Sequence, residues 1–158
     1  MDKQRRVSDS RTEQIHYIQY KHLNSQRRLF GGMLMEWIDE VAGFVAGRHT
    51  GGKLVTTAAV DSLVFKGPAY LGDVVVLVGT LTYTGNTSME VRVDTFVEEA
   101  DSSRKRINRA YLVMVAIDED GKPTKVPPVV PETDEERREW EDAQKRNALR
   151  KQRREEKY

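Results

Sequence analysis

The stretch that decides the fold is "LFGGMLMEWIDEVAGFVAGRH", Leu29 to His49. Its apolar residues recur at helical spacing, with Leu34, Ile38, Val41 and Val45 in one stripe that Trp37 and Phe44 widen. The spacing predicts a helix over Gly32 to Arg48, closed by "HTGG", whose glycines can adopt the left-handed conformation that ends a helix. A helix so apolar around its circumference is expected to be buried on more than one side. One sheet cannot cover all of it, and a second copy of the chain against the remaining face predicts a homodimer.

Asp39 interrupts this pattern. It shares its helix face with Met35, Ala42, Gly43 and Ala46, with Gly32 on the same side. An ionised carboxylate in such company carries a desolvation penalty unless something compensates it. Two readings stand side by side: a structural carboxylate paired with an arginine or with backbone N–H groups, and a functional one, since perturbed carboxylates gather at sites. Glu36 and Glu40 lie nearer the polar edge and read as structural. Gly31 and Gly32, at the helix start, can expose backbone N–H groups of the kind that a developing oxyanion needs. Asp39 lies seven residues beyond Gly32. At 1.5 Å of rise per residue that is roughly 10 Å, too far for both to act on one carbonyl carbon. If both serve one reaction, Asp39 must meet the helix start of a second subunit across a two-fold axis, giving two composite sites per dimer.

Outward from the helix, Ile15 to Tyr20 reads as a short first strand. Four runs rich in Val, Thr, Tyr and Phe follow: Leu54 to Phe65, Asp73 to Tyr83, Ser88 to Glu98 and Arg106 to Asp118. Their links, "KGPAYLG", "TGNT" and "EADSSRK", are too short for crossover helices, so neighbouring strands should be antiparallel. The fold class is therefore α+β, an antiparallel sheet packed on one long helix. The expected organisation is a flexible N-terminus over residues 1–12, a domain over 13–126, and a proline-rich linker with a helical extension over 127–158. In the extension, Pro127, Pro128 and Pro131 stop a strand, Thr133 can cap a helix, and acids precede bases in the order that the helix dipole favours. A solvated helix docked by Trp140 is the expectation.

The formal net charge of +1 over 158 residues gives no global field to attract nucleic acid or an anionic membrane. The absence of cysteine excludes disulfides, a thiol nucleophile and thiolate metal sites. His16, His22 and His49 have no metal-ligand spacing, so no metal is expected. Without an apolar leader segment or a run of roughly 18 apolar residues, the expectation is a soluble cytoplasmic protein.

Four blocks carry a resemblance: "LFGGMLMEWIDEVAG" (Leu29 to Gly43), "VTTAAVDSLVFKGPAYLGDVV" (Val55 to Val75), "TGNTSMEVRV" (Thr84 to Val93) and "YLVMVAIDEDGKPTKVP" (Tyr111 to Pro127). In order and spacing they resemble the hotdog-fold acyl-CoA thioesterases of the cytosolic acyl-CoA hydrolase type, and the tail "VPPVVPETDEERREWEDAQKR" is similar to an extension of that family. The resemblance implies a long central helix wrapped by a five- to six-stranded antiparallel sheet, with a charged C-terminal helix. It also implies dimers that assemble into hexamers. Asp39 would serve as general base or nucleophile, and N–H groups near Gly32 and Met33 of the facing subunit would polarise the thioester carbonyl. Asn24 matches the family, but Arg27 stands where glycine is usual and Arg28 where a small polar residue is usual. Arg28 is left with three readings: stabilising the oxyanion, pairing with Asp39, or pointing to solvent.

Thioester hydrolysis needs a base or nucleophile, an oxyanion donor and a grip on the carrier. For the grip, the turn Gly85, Asn86, Thr87 and Ser88 brings small polar groups together, and it reads equally as an ordinary hairpin turn. Gly31 belongs to the same substrate-binding set. Lys66, Arg104, Lys105, Arg106 and Arg109 are the candidate cations for the phosphates of coenzyme A. The leading function is release of free CoA and a carboxylic acid from acyl-CoA, with no cofactor beyond the CoA of the substrate. The alternative is a non-catalytic acyl-CoA-binding protein with a regulatory role. A hotdog hydratase would need a catalytic histidine paired with an Asp or Glu in its own motif, and the helix region has no such histidine.

Overall fold

Alternating β-branched and apolar residues shape the body, and the computed structural model describes residues 3–157. The main strands are β2 (Thr12–Tyr17), β3 (Leu54–Phe65), β4 (Val74–Thr84), β5 (Ser88–Glu98) and β6 (Arg104–Ile117). They form one antiparallel sheet in the order β2-β4-β5-β6-β3. The helix α1 (Gly31–Thr50) lies across one face and ends at Gly51, whose φ of 73° is the left-handed stop expected of "HTGG". Buried Leu34, Ile38, Val41, Ala42, Val45 and Ala46 meet Leu77, Leu81, Val91, Val93, Leu112 and Met114 from the sheet. The approach is closest at Gly79, where an added Cβ would stand 2.6 Å from Val41 and 2.7 Å from Val45. This is a hotdog fold.

The edges of the chain differ from the sequence reading. Of residues 1–12, expected to be a flexible N-terminus, 1–2 lie outside the described residues, while β1 (Arg5–Arg6) pairs in parallel with β7 (Val129–Val130) and Val7 enters the core. The cause is local: Asp9 accepts from the Arg6 backbone at 2.9 Å and from its guanidinium at 2.8 Å, which turns Val7 inward.

The second difference is α2 (Asp134–Glu156), which lies on the sheet face opposite α1. Thr133 caps it by accepting from the Glu136 N–H at 3.1 Å, and Trp140 packs at 5.9 Å from the Tyr83 ring. It is also held by buried ion pairs. Glu90, 1 % exposed, accepts from Arg146 at 2.7 Å and Arg150 at 2.8 Å, and Arg150 also reaches Asp61 at 2.9 Å. The expected solvated helix is thus pinned to β3 and β5 through acids that those strands turn away from α1.

Candidate active site

Two cavities flank the start and the middle of α1. The first, about 420 Å³, opens at the helix start and is lined by Asn24, Arg28, Gly31 and Lys66, among others. The Asn24 Oδ1 accepts from the N–H groups of Gln26 at 2.9 Å and Arg28 at 3.2 Å, so this side chain folds its own loop and leaves its amide N–H₂ for the cleft. The loop also places Arg27 at φ 60°, a left-handed conformation that favours glycine. Among the described residues no side chain caps the helix, and its backbone hydrogen bonds begin at the Leu34 N–H, which donates to the Phe30 carbonyl at 3.1 Å. The N–H groups of Gly31, Gly32 and Met33 therefore point out of the helix start as open donors.

The second cavity, about 170 Å³, is apolar apart from Asp39 and is walled by Met35, Ile38, Val60, Leu63 and Leu112. Asp39 is not buried in the single chain; it sits exposed on the face of α1 that the sheet leaves uncovered. Its one hydrogen bond among the described residues comes from the Thr57 hydroxyl, at 2.5 Å to Oδ1. Thr57 thus fixes the carboxylate through Oδ1 and leaves Oδ2 without a hydrogen bond among the described residues. The sequence reading missed Thr57, because two bulges in β3 hide which of its residues face the helix.

The two cavities share no lining residue, so within one chain Asp39 and the helix start stand apart, as the rise of the helix requires. Within one chain Arg28 is exposed in the cleft and does not pair with Asp39. The turn from Gly85 to Ser88 lies at the other end of the sheet. Ser88 pairs with Val115, whereas Phe65, beside Gly31, pairs with Asn108. That separation is roughly 20 Å at 3.3 Å per residue. The turn is tied to the chain by Thr87 accepting from Ala116 at 3.1 Å and Asn86 accepting from Val126 at 3.0 Å.

Among the candidate cations, Lys66 lines the cleft. Arg104 is engaged by Glu13 at 2.6 Å and Glu98 at 2.9 Å, and Arg109 by Asp94 at 2.6 Å, so neither is a free phosphate grip. Arg106 and Lys105 are exposed and line neither cavity. The histidines are structural. His22 accepts the Gln19 N–H at 3.0 Å, His16 stacks on Trp37 at 4.0 Å, and His49 contacts the Pro127 carbonyl at 2.7 Å. Burial holds both His16 and His49 below the usual imidazole range. Among the described residues no cluster of three potential metal ligands occurs, and no helix is long and apolar enough to cross a membrane.

Residues 27–102, which include both cavities' helix and Thr57, match the model of the thioesterase superfamily. An acyl-CoA hydrolase from Staphylococcus aureus, solved with butyryl coenzyme A, coenzyme A and coenzyme A disulfide, is 35% identical with a TM-score of 0.92, the match covering 98% of this chain and 94% of that one. The chain belongs to the thioesterase superfamily. A hexameric acyl-CoA thioesterase solved in its apo form is 40% identical with a TM-score of 0.91, over 95% of this chain and 96% of that one. The cytosolic acyl coenzyme A thioester hydrolase of Rattus norvegicus is 36% identical over 143 residues, which are 89% of this chain and 37% of the rat protein. The chain thus spans little more than a third of that curated relative. Variants of the S. aureus enzyme with alanine in place of an asparagine, an aspartate or a threonine have also been solved, each with a TM-score of 0.92 to this chain.

Proposed function

We propose that this superfamily member hydrolyses acyl-CoA to free CoA and a carboxylic acid at a site shared between two subunits. The observation that carries the reading is Asp39, oriented by Thr57 on the rim of an apolar cavity that can receive an acyl chain. In the S. aureus enzyme the replaced asparagine and aspartate are fifteen residues apart, as Asn24 and Asp39 are, and its threonine follows the aspartate by seventeen residues where Thr57 follows by eighteen.

In this reading the free oxygen of Asp39 takes a proton from water as the water oxygen attacks the thioester carbonyl carbon. The N–H groups of Gly32 and Met33 from the facing subunit receive the developing oxyanion. The C–S bond then breaks, and the CoA thiolate leaves and recovers the proton. Direct attack by the carboxylate, through an anhydride, is the other course open to the same residue. Asn24 offers its amide N–H₂ and Lys66 its charge along the cleft. Arg28 lies at the cleft without an ion-pair partner among the described residues, which favours a contact with the CoA phosphates or the carbonyl.

The partner subunit is supplied by β3. This twelve-residue edge strand has one open side, and Leu54, Val60, Val64 and Phe65 are each about half exposed, as are Met35 and Phe44 on α1. An edge this long and apolar is a template for pairing. Two copies joined along β3 form one continuous sheet and bring each Asp39 toward the other chain's helix start. The hexameric relatives support further assembly of such dimers.

The test is free-thiol release from a panel of acyl-CoAs, acetyl to palmitoyl, by wild type and Asp39→Ala. The protein has no cysteine of its own, so the background is clean. Release that is lost in the variant while assembly persists is expected. Binding of CoA without release from any substrate would refute hydrolysis and favour the non-catalytic binder.

A further inference from the structure

The sheet face opposite the proposed site carries the buried acids Asp61 and Glu90, which hold α2. Between Thr57 and Leu63, β3 carries two irregularities in its pairing with β6. Thr57 lies opposite Met114, Ala59 opposite Val113, Val60 opposite Leu112 and Ser62 opposite Tyr111, which leaves Ala58 and Asp61 as extra residues. A plain strand alternates faces every residue. Here the residues turned toward α1 are Thr57, Val60 and Leu63, at a spacing of three. Thr57 meets Asp39, and Val60 and Leu63 wall the adjacent cavity.

The parity depends on the bulge at Asp61. If that bulge closed while Leu63 kept its place and Ala58 remained extra, Asp61 would turn toward the apolar side. Val60 would turn out, and Thr57 would turn away from Asp39. Asp61 is prevented from doing this by α2. Its carboxylate, 6% exposed, is held by Arg150 at 2.9 Å and Arg153 at 3.2 Å. Arg150 is in turn fixed by Glu90 of the central strand β5 at 2.8 Å, and Glu90 also binds Arg146 at 2.7 Å.

We infer that Arg150 of the C-terminal helix is a positioning residue for the site: by clamping the Asp61 bulge it sets the facing of β3 that delivers Thr57 to Asp39. The inference rests on the hydrolase reading. It assigns the C-terminal helix a part in catalysis without any contact to substrate. Buried ion pairs contribute little net stability over apolar packing, and holding one register is their best-attested use.

Arg150→Met tests it, because Asp61 keeps Arg153 and Glu90 keeps Arg146, so the fold is retained. The expected result is a fall in kcat of about tenfold with KM within about twofold, the signature of a displaced catalytic contact. Arg150→Lys should recover most of the rate. In a Thr57→Ala background, Arg150→Met should change the residual kcat by less than about twofold, since the contact it serves is already gone. Amide hydrogen exchange should quicken in Leu54–Phe65 while β4 and β5 stay protected. Unchanged exchange in β3 together with wild-type kcat would overturn the inference, and so would an equal loss of rate in the Thr57→Ala background. The exchange measurement needs no activity. A wild-type protein that hydrolyses nothing would therefore refute the functional reading, while the exchange in β3 still decides whether α2 clamps the strand.

Discussion

Replacing Glu90 by glutamine probes the interior ionic cluster directly. The carboxylate is 1% exposed and accepts from the Thr82 hydroxyl at 2.7 Å, from Arg146 at 2.7 Å and from Arg150 at 2.8 Å. Glu90→Gln keeps the shape and removes the charge, leaving two guanidinium groups whose side chains are only 20% and 12% exposed. Breaking a buried pair from one side costs about 3–5 kcal/mol, because the remaining charge stays desolvated. Here Arg150 retains Asp61 at 2.9 Å and Arg146 retains Glu139 at 3.6 Å, so the lower end, about 3 kcal/mol, applies. For a chain of this size each kcal/mol moves the midpoint by roughly 2–4 °C, which gives a drop in Tm of about 6–12 °C. Denaturation should be followed at one fixed protomer concentration, since assembly adds to apparent stability. The triple variant Glu90→Leu, Arg146→Met, Arg150→Met should regain most of the loss, because apolar packing replaces a buried ionic cluster at little cost. A loss below about 0.5 kcal/mol in Glu90→Gln, or a triple variant no more stable than the single one, would refute this reasoning.

Arg27→Gly should stabilise the chain by about 0.5 kcal/mol, because relief of the left-handed strain at φ 60° outweighs the extra freedom of glycine in the unfolded state; a denaturant midpoint that falls would contradict this. His49 predicts a pH dependence: burial depresses its folded-state pKa below the usual 6.5, so the native state stays neutral where the unfolded state takes up a proton. Its contribution is therefore complete above about pH 6.5 and is lost as pH falls toward the lowered folded value. A plot of stability against pH should rise through that window in wild type and rise less steeply in His49→Gln, where His16, also depressed by burial, still contributes.

How much of this could be read in the sequence follows from the length scale of each signal. The helix from Gly31 to Thr50 and the strands Leu54–Phe65 and Ser88–Glu98 stood out because periodicity over ten or more residues is a strong signal. Asp39 was conspicuous because a charge among apolar neighbours demands a cause. Thr57 was not, because bulges change the facing of a strand without altering its composition. The grip of α2 on the sheet was hidden for a related reason: nothing local in the sequence sets Glu90 and Asp61 apart from solvent-facing acids, or Arg146 and Arg150 apart from the other charges of a helix expected to be solvated. Val7 and the Arg5–Arg6 strand escaped notice because a two-residue pairing leaves no pattern to detect. Arg27, noted only for standing where a relative has glycine, gains its physical meaning from the backbone angle that it adopts.

The shared site is tested most directly by mixing lesions. Asp39→Ala chains carry an intact helix start, and Asn24→Ala chains carry an intact Asp39. If each site takes Asp39 from one subunit and the helix start from the other, a mixed dimer contains one wild-type site and one doubly damaged site. Two separately inactive proteins, unfolded and refolded together in equal amounts, should then recover about a quarter of wild-type thiol release, from random pairing across a two-fold axis. No recovery, from mixtures that demonstrably contain both chains in one assembly, would contradict a site built across the dimer.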